Sequence, residues 1–193
     1  MTEQDILQLI QEDKWMMEVI HIAESIKLQN WAIGTGFIRN KIWDHLHGYT
    51  NIEVDTPDID LVYFNPEGND EESDQKISNI LNKNTHINWE IVNEVYAHKW
   101  NNIEPYTSIE DAISKWPETV TSIGVTVEKS ELKLIAPHGI NDLVNLVIKP
   151  TPTFYNKTNI VRERVAKKKW LEKWPKLKLS LELNDAQDPV TSH

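Results

Sequence analysis

From Gln4 to Leu28 apolar residues return every three or four positions, at Ile6, Leu7 and Ile10, then Met16, Met17, Ile20, Ala23 and Ile26. That period predicts a helix over 4–28 with one buried face. Trp31-Ala32-Ile33 reads as a short buried strand ending in Gly34-Thr35-Gly36. Helical spacing resumes from Phe37 to Leu46, with Ile38 paired to Ile42 and Arg39 to Trp43, and Gly48 stands where a helix stops. Asp58 to Phe64 (DIDLVYF) and Asn88 to Val92 (NWEIV) have the β-branched and aromatic content of strands, with a helix over 75–81 between them. Polar, turn-rich stretches at 50–57 and 65–74 read as loops.

Further along, Glu94 to Trp100 forms a short helix or turn, and Ser108-x-x-Asp111 resembles a capping box opening a helix to Lys115. Thr119 to Val127 and Leu132 to Ile135 predict an antiparallel strand pair, and His138-Gly139 a turn. Ile160 to Trp174 predicts a last helix, stopped by Pro175. No repeat and no linker divides the chain. The pattern predicts mixed α and β in one unit.

With 193 residues, 39% of them hydrophobic and 26% charged, the chain suits one soluble domain. No apolar run approaches the ~18 residues of a membrane span, so no membrane partner is expected. The first residues carry Glu3 and Asp5 and lack the basic-then-apolar order of a secretory signal, so the expected location is cytoplasmic. The absence of cysteine excludes disulfide scaffolds, thiolate metal sites and thiol catalysis. Nine basic residues against two acidic ones between Lys157 and Lys178 place a segment of net +7 inside a chain of net −10. Such a chain would repel a polyanion as a whole but can meet phosphate locally. Lys167, Lys168 and Lys169 have the charge to neutralise a triphosphate or an RNA acceptor, but solvent is the expected partner.

Candidate chemistry lies in the order Gly34-Thr35-Gly36-x-x-Arg39, then Asp58-Ile59-Asp60, then Glu90. Residues two apart on a strand face the same side, so Asp58 and Asp60 project together. They repel, raise each other's proton affinity, and gain by sharing a divalent cation. Glu90, on another strand, supplies a third carboxylate to a group suited to Mg²⁺, which takes carboxylate oxygens together with substrate phosphates. The glycine turn at a strand-to-helix junction offers backbone N–H groups to a phosphate. Each piece alone is common: Asp-x-Asp occurs on surface strands, and Gly-x-Gly in tight turns. The pattern is not an EF-hand, a dinucleotide fingerprint or a P-loop, because the glycine, glutamate and Gly-Lys-Ser/Thr positions those need are missing.

Taken in order, GTGFIRNKIWD, TPDIDLVYF, WEIVNEVYAH, WPETVTSIGV, IAPHGINDLV and KKKWLEKWPKL resemble a small bacterial nucleotidyltransferase family of the polymerase-β-like superfamily, near the CCA-adding and poly(A) polymerase branch. The resemblance covers most of 31–177. It implies an α+β nucleotidyltransferase fold, a short mixed β-sheet flanked by helices. Residues 1–30 would be helices packed on the core, 31–183 the nucleotidyltransferase-like domain and 184–193 a flexible tail. It implies Mg²⁺, with Mn²⁺ as a substitute, on Asp58, Asp60 and Glu90, and a nucleoside triphosphate such as ATP against Gly34, Thr35, Gly36 and Arg39. The acceptor would be a hydroxyl on RNA, protein or a small molecule. The chain departs from the branch in a longer Gly36–Asp58 spacing and in Asn40, where the CCA-adding enzymes carry an acidic residue.

Two other readings share the same residues. A metal-dependent glycosyltransferase also uses Asp-x-Asp, but there the apolar strand precedes the motif, whereas here Leu61 to Phe64 follow it. A non-catalytic nucleotide sensor or toxin–antitoxin-type partner would bind nucleotide without transfer. His45 and His47, two apart on a helix, cannot share a ligand face. His98 is placed to line the pocket or pack beside it, and Trp170 and Trp174, four apart, read as packing residues.

Overall fold

Thr2 and Asp13 each open a helix. Thr2 and Asp5 form a capping box on α1 (Glu3–Glu12), and the Asp13 carboxylate accepts the Trp15 and Met16 N–H groups at the head of α2 (Lys14–Ser25). The helix predicted over 4–28 is therefore two, because a side chain that satisfies a fresh first turn favours a break there. The computed structural model describes residues 1–50, 58–68 and 71–181. The expected tail 184–193 and the loop residues 51–57 lie outside the described residues.

Beyond α2 come β1 (Trp31–Gly34), α3 (Gly36–His47), β2 (Ile59–Tyr63), α4 (Glu71–Thr85), β3 (Trp89–Asn93), α5 (Glu94–Asn101), α6 (Ile109–Ser114), β4 (Gly124–Glu128) and β5 (Glu131–Ile135). They build a five-stranded sheet in the order β3-β2-β1-β4-β5. β2 and β3 run parallel, joined by α4, and the other pairs are antiparallel. α4 extends past both ends of the predicted 75–81, since Glu71, Glu72 and Asp74 suit the positive end of a helix. The strand predicted from Thr119 starts only at Gly124: the Thr121 and Ser122 N–H groups donate to the Glu118 carbonyl and close a turn instead. Gly139, at φ 67°, donates its N–H to the Ala136 carbonyl, the expected turn.

α7 (Asn141–Val144), β6 (Val147–Ile148), a 3-10 turn (Pro152–Lys157), α8 (Thr158–Lys167), α9 (Trp170–Lys173) and β7 (Lys178–Leu179) complete the chain. β6 and β7 form a parallel pair too short to leave a periodic signal. The helix predicted over 160–174 breaks at Lys168 and Lys169, the latter at φ 52°. The break lets Trp170 and Trp174 enter the core beside Trp43, with ring centroids 5.6 and 5.0 Å away, and the Trp174 indole donates to buried Asp44 at 2.7 Å. Among the described residues no helix is long and apolar enough to cross a membrane.

The sheet has two unlike faces. Ile33, Ile59, Leu61, Tyr63, Trp89 and Ile91 point into the main core with α1, α2 and α3. On the other face Ala32, Val62 and Ile135 pack with Ile113 of α6, and Val92 and Trp116 join them. Asp60 and Glu90 alternate onto this second face, at its end.

Candidate active site

Asp60 and Glu90 are register partners on parallel β2 and β3. Asp58 precedes β2 by one residue and is exposed. The backbone alternation that buries Ile59 and Leu61 on the core side thus turns Asp60 and Glu90 to the same face of the sheet. Burial raises the proton affinity of partly buried Asp60, and the Asp58 charge adds to it, while the Thr35 hydroxyl, Lys168 and Arg39 oppose. Glu90 is also raised, by desolvation and then by repulsion from Asp60 and Asp58, against attraction to Lys168. The donor set is all-oxygen and mutually repelling, which fits a divalent cation such as Mg²⁺. Asp60 already accepts the Thr35 hydroxyl and Asp58 the Asn88 amide, and among the described residues no three His, Asp or Glu side chains close on one point.

The glycine turn is built around contacts a larger residue would block. A Cβ on Gly34 would lie 2.5 Å from Cη2 of Trp116. Thr35 sits at φ 52°, ψ −117°, outside the regions a β-branched residue prefers. Its hydroxyl, which normally caps a helix, goes to Asp60, and the first turn of α3 keeps its N–H groups without a side-chain cap. Gly36 opens that helix. Arg39 is only 4% exposed, its guanidinium bonded to the Asn40 side chain and stacked over Trp170 and Trp43 at 4.2 and 5.2 Å from the ring centroids. Burial lowers its pKa to about 10. Arg39 is therefore a buried charge behind the site.

One neighbour of these carboxylates was missed by the sequence reasoning. Glu94, at the head of α5, is 4% exposed; burial pushes its pKa up to about 7, against a hydrogen bond from Trp116 and with help from the Asp60 charge. Its Oε2 has no partner among the described residues. The spacing Glu90, Val92, Glu94 held that signal, since it continues the strand alternation by one step. Lys168, one of the three consecutive lysines, is exposed as expected of its run, yet within electrostatic reach of Asp60 and Glu90. His98 contacts the Val95 carbonyl and packs against Tyr106, so it serves α5 packing. His47 bridges the Trp43 carbonyl and the Lys176 N–H.

A family model described as Nucleotidyltransferase matches residues 21–179. The chain belongs to this nucleotidyltransferase family. A solution structure said to reveal a CCA-adding enzyme head domain shares 30% identity and a TM-score of 0.83, over 93% of this chain and 96% of that one. CCA-adding enzymes in complex with CTP and with ATP superpose with a TM-score of 0.54 at 16% and 14% identity, over 91% of this chain and 43% and 42% of theirs. At that identity they support the fold alone. No curated protein matches the chain. Family and fold together place the Asp-x-Asp strand in a nucleotidyltransferase related to CCA-adding enzymes rather than in a glycosyltransferase.

Proposed function

We propose that the chain transfers a nucleoside monophosphate from a nucleoside triphosphate to an acceptor hydroxyl, with Asp58, Asp60 and Glu90 as its catalytic carboxylates. The observation that carries this reading is the Asp60–Glu90 register beside Thr35, at a helix end without a side-chain cap. The acceptor oxygen bonds to the α-phosphorus, the bond from that phosphorus to the β-phosphate oxygen breaks, and pyrophosphate leaves. Glu90, with its proton affinity raised, takes the hydroxyl proton. Gly34, Thr35 and Gly36 orient the phosphates against the head of α3, and Arg39 contributes charge from behind. Asp58, Asp60 and Glu90 would hold Mg²⁺ or Mn²⁺, which when bound neutralises phosphate charge and polarises the phosphoryl oxygens. RNA, protein and small alcohols are all acceptors compatible with this site.

The test is the thermal midpoint with each nucleoside triphosphate and Mg²⁺, for wild type and for Asp58→Asn/Asp60→Asn. A triphosphate at about 100 times its Kd adds about 2.7 kcal/mol, roughly 5–10 °C for a chain of this size. The shift should need metal and vanish in the double variant. No shift with any triphosphate at millimolar concentration would overturn the reading.

A further inference from the structure

We propose that Lys168 is a triphosphate-binding residue, presented to the carboxylates by the break between α8 and α9; this rests on the nucleotide-transfer reading above. The Lys168 N–H donates to the Arg164 carbonyl at 2.9 Å, and Lys169 then turns the chain at φ 52°. Arg164 and Lys168, four apart, share one side of the helix end.

With Arg39 they make three cations that repel one another. Two are committed. Arg164 reaches the fully buried Glu118 carboxylate, Nε to Oε1 at 2.7 Å and Nη2 to Oε2 at 3.4 Å. Arg39 is stacked on Trp170, which Lys168 precedes by two residues. Lys168 is exposed, and no carboxylate among the described residues lies within ion-pair distance of it.

The Trp170–Arg39 stack sets this helix end against the glycine turn, since Arg39 Nη2 lies 3.4 Å from where a Cβ on Gly36 would stand and the adjacent Thr35 hydroxyl donates to Asp60. The Lys168 charge acts on both Asp60 and Glu90. Carboxylates and cations brought to the same end of the fold do not suit a lone metal or a lone anion. They suit a polyphosphate carrying a divalent cation, which shows both signs at once. Lys168 has the flexible stem and the three donors to follow a phosphate chain, with Arg39 and the Glu118–Arg164 pair as fixed charges behind it. The basic C-terminal segment thereby has a local partner besides solvent.

Binding of ATP, AMP and inorganic tripolyphosphate, with Mg²⁺, is measured by calorimetry for wild type, Lys168→Ala, Lys168→Arg and Lys167→Ala. Loss of one charge-assisted contact should weaken ATP and tripolyphosphate about tenfold or more in Lys168→Ala. AMP should change little, Lys168→Arg should retain most of the affinity, and Lys167→Ala, an equal change in net charge, should bind as wild type does. Three outcomes overturn the proposal while leaving the functional reading intact: unchanged ATP affinity in Lys168→Ala, equal weakening of AMP, or equal weakening by Lys167→Ala. A wild type that binds neither ATP nor tripolyphosphate overturns both.

Discussion

Thr35 donates its hydroxyl to Asp60 from a backbone held at φ 52°, ψ −117°, so one residue joins the glycine turn to the carboxylate strand at the cost of local strain. Such conformations cost about 1–3 kcal/mol and persist where the surroundings over-determine them. Thr35→Ala keeps the strain and loses the bond, whereas Thr35→Gly loses the bond and relieves the strain. Urea unfolding should find Ala less stable than Gly by about 1 kcal/mol. Equal stabilities would show that the position carries no strain.

Gly34 is fixed by packing. A Cβ there would meet the Trp116 ring at 2.5 and 2.7 Å. Gly34→Ala should cost about 1–3 kcal/mol, the usual cost of overpacking. In a Trp116→Leu background the same substitution should cost clearly less, giving a coupling energy in a double-mutant cycle. Additive effects would mean the ring is not the obstacle.

Much of this was legible in the sequence, because strand alternation and helical period are both set by burial. Ile59, Leu61 and Tyr63 against Asp58, Asp60 and Val62 already sort the two faces of β2. What escaped depends on contacts distant in sequence. The break at Lys168–Lys169 is explained only by where Trp170 must go to reach Trp43, and the early turn at Glu118 only by Arg164 waiting 46 residues later. Glu94 stands in the first turn of α5, where an acid is ordinary, and the hydrogen bond that marks it out comes from Trp116, 22 residues further along. The break between α1 and α2 was readable in principle, from Asp13 standing before Trp15 and Met16, but the uninterrupted apolar period masked it.

Asp60 gives a test that separates activity from stability. Its carboxylate is partly buried with a raised proton affinity, so its charge at neutral pH works against the fold. Asn keeps an acceptor for the Thr35 hydroxyl and removes that charge. Asp60→Asn should therefore match or exceed the wild-type thermal midpoint while losing at least about a hundredfold in nucleotide transfer. Transfer at the wild-type rate would remove Asp60 from the chemistry.

Glu94 predicts how stability depends on pH. Its folded pKa, about 7, lies above the ordinary 4.5, so between those values the folded state holds a proton that the unfolded state has released. The unfolded chain then binds fewer protons, and stability falls as pH rises through that window. The contribution is present in full below about pH 4.5 and gone above about pH 7, a difference of order 3 kcal/mol. Asp60 and Glu90, also raised, slope the same way. Glu94→Gln stays neutral and can still accept the Trp116 indole N–H, so its unfolding free energy should be flatter between pH 5 and pH 8 and exceed wild type at pH 8. Denaturant unfolding at the two pH values reads both quantities. Parallel curves for variant and wild type would show that Glu94 ionises normally, and that its unpartnered oxygen is solvated in the folded protein.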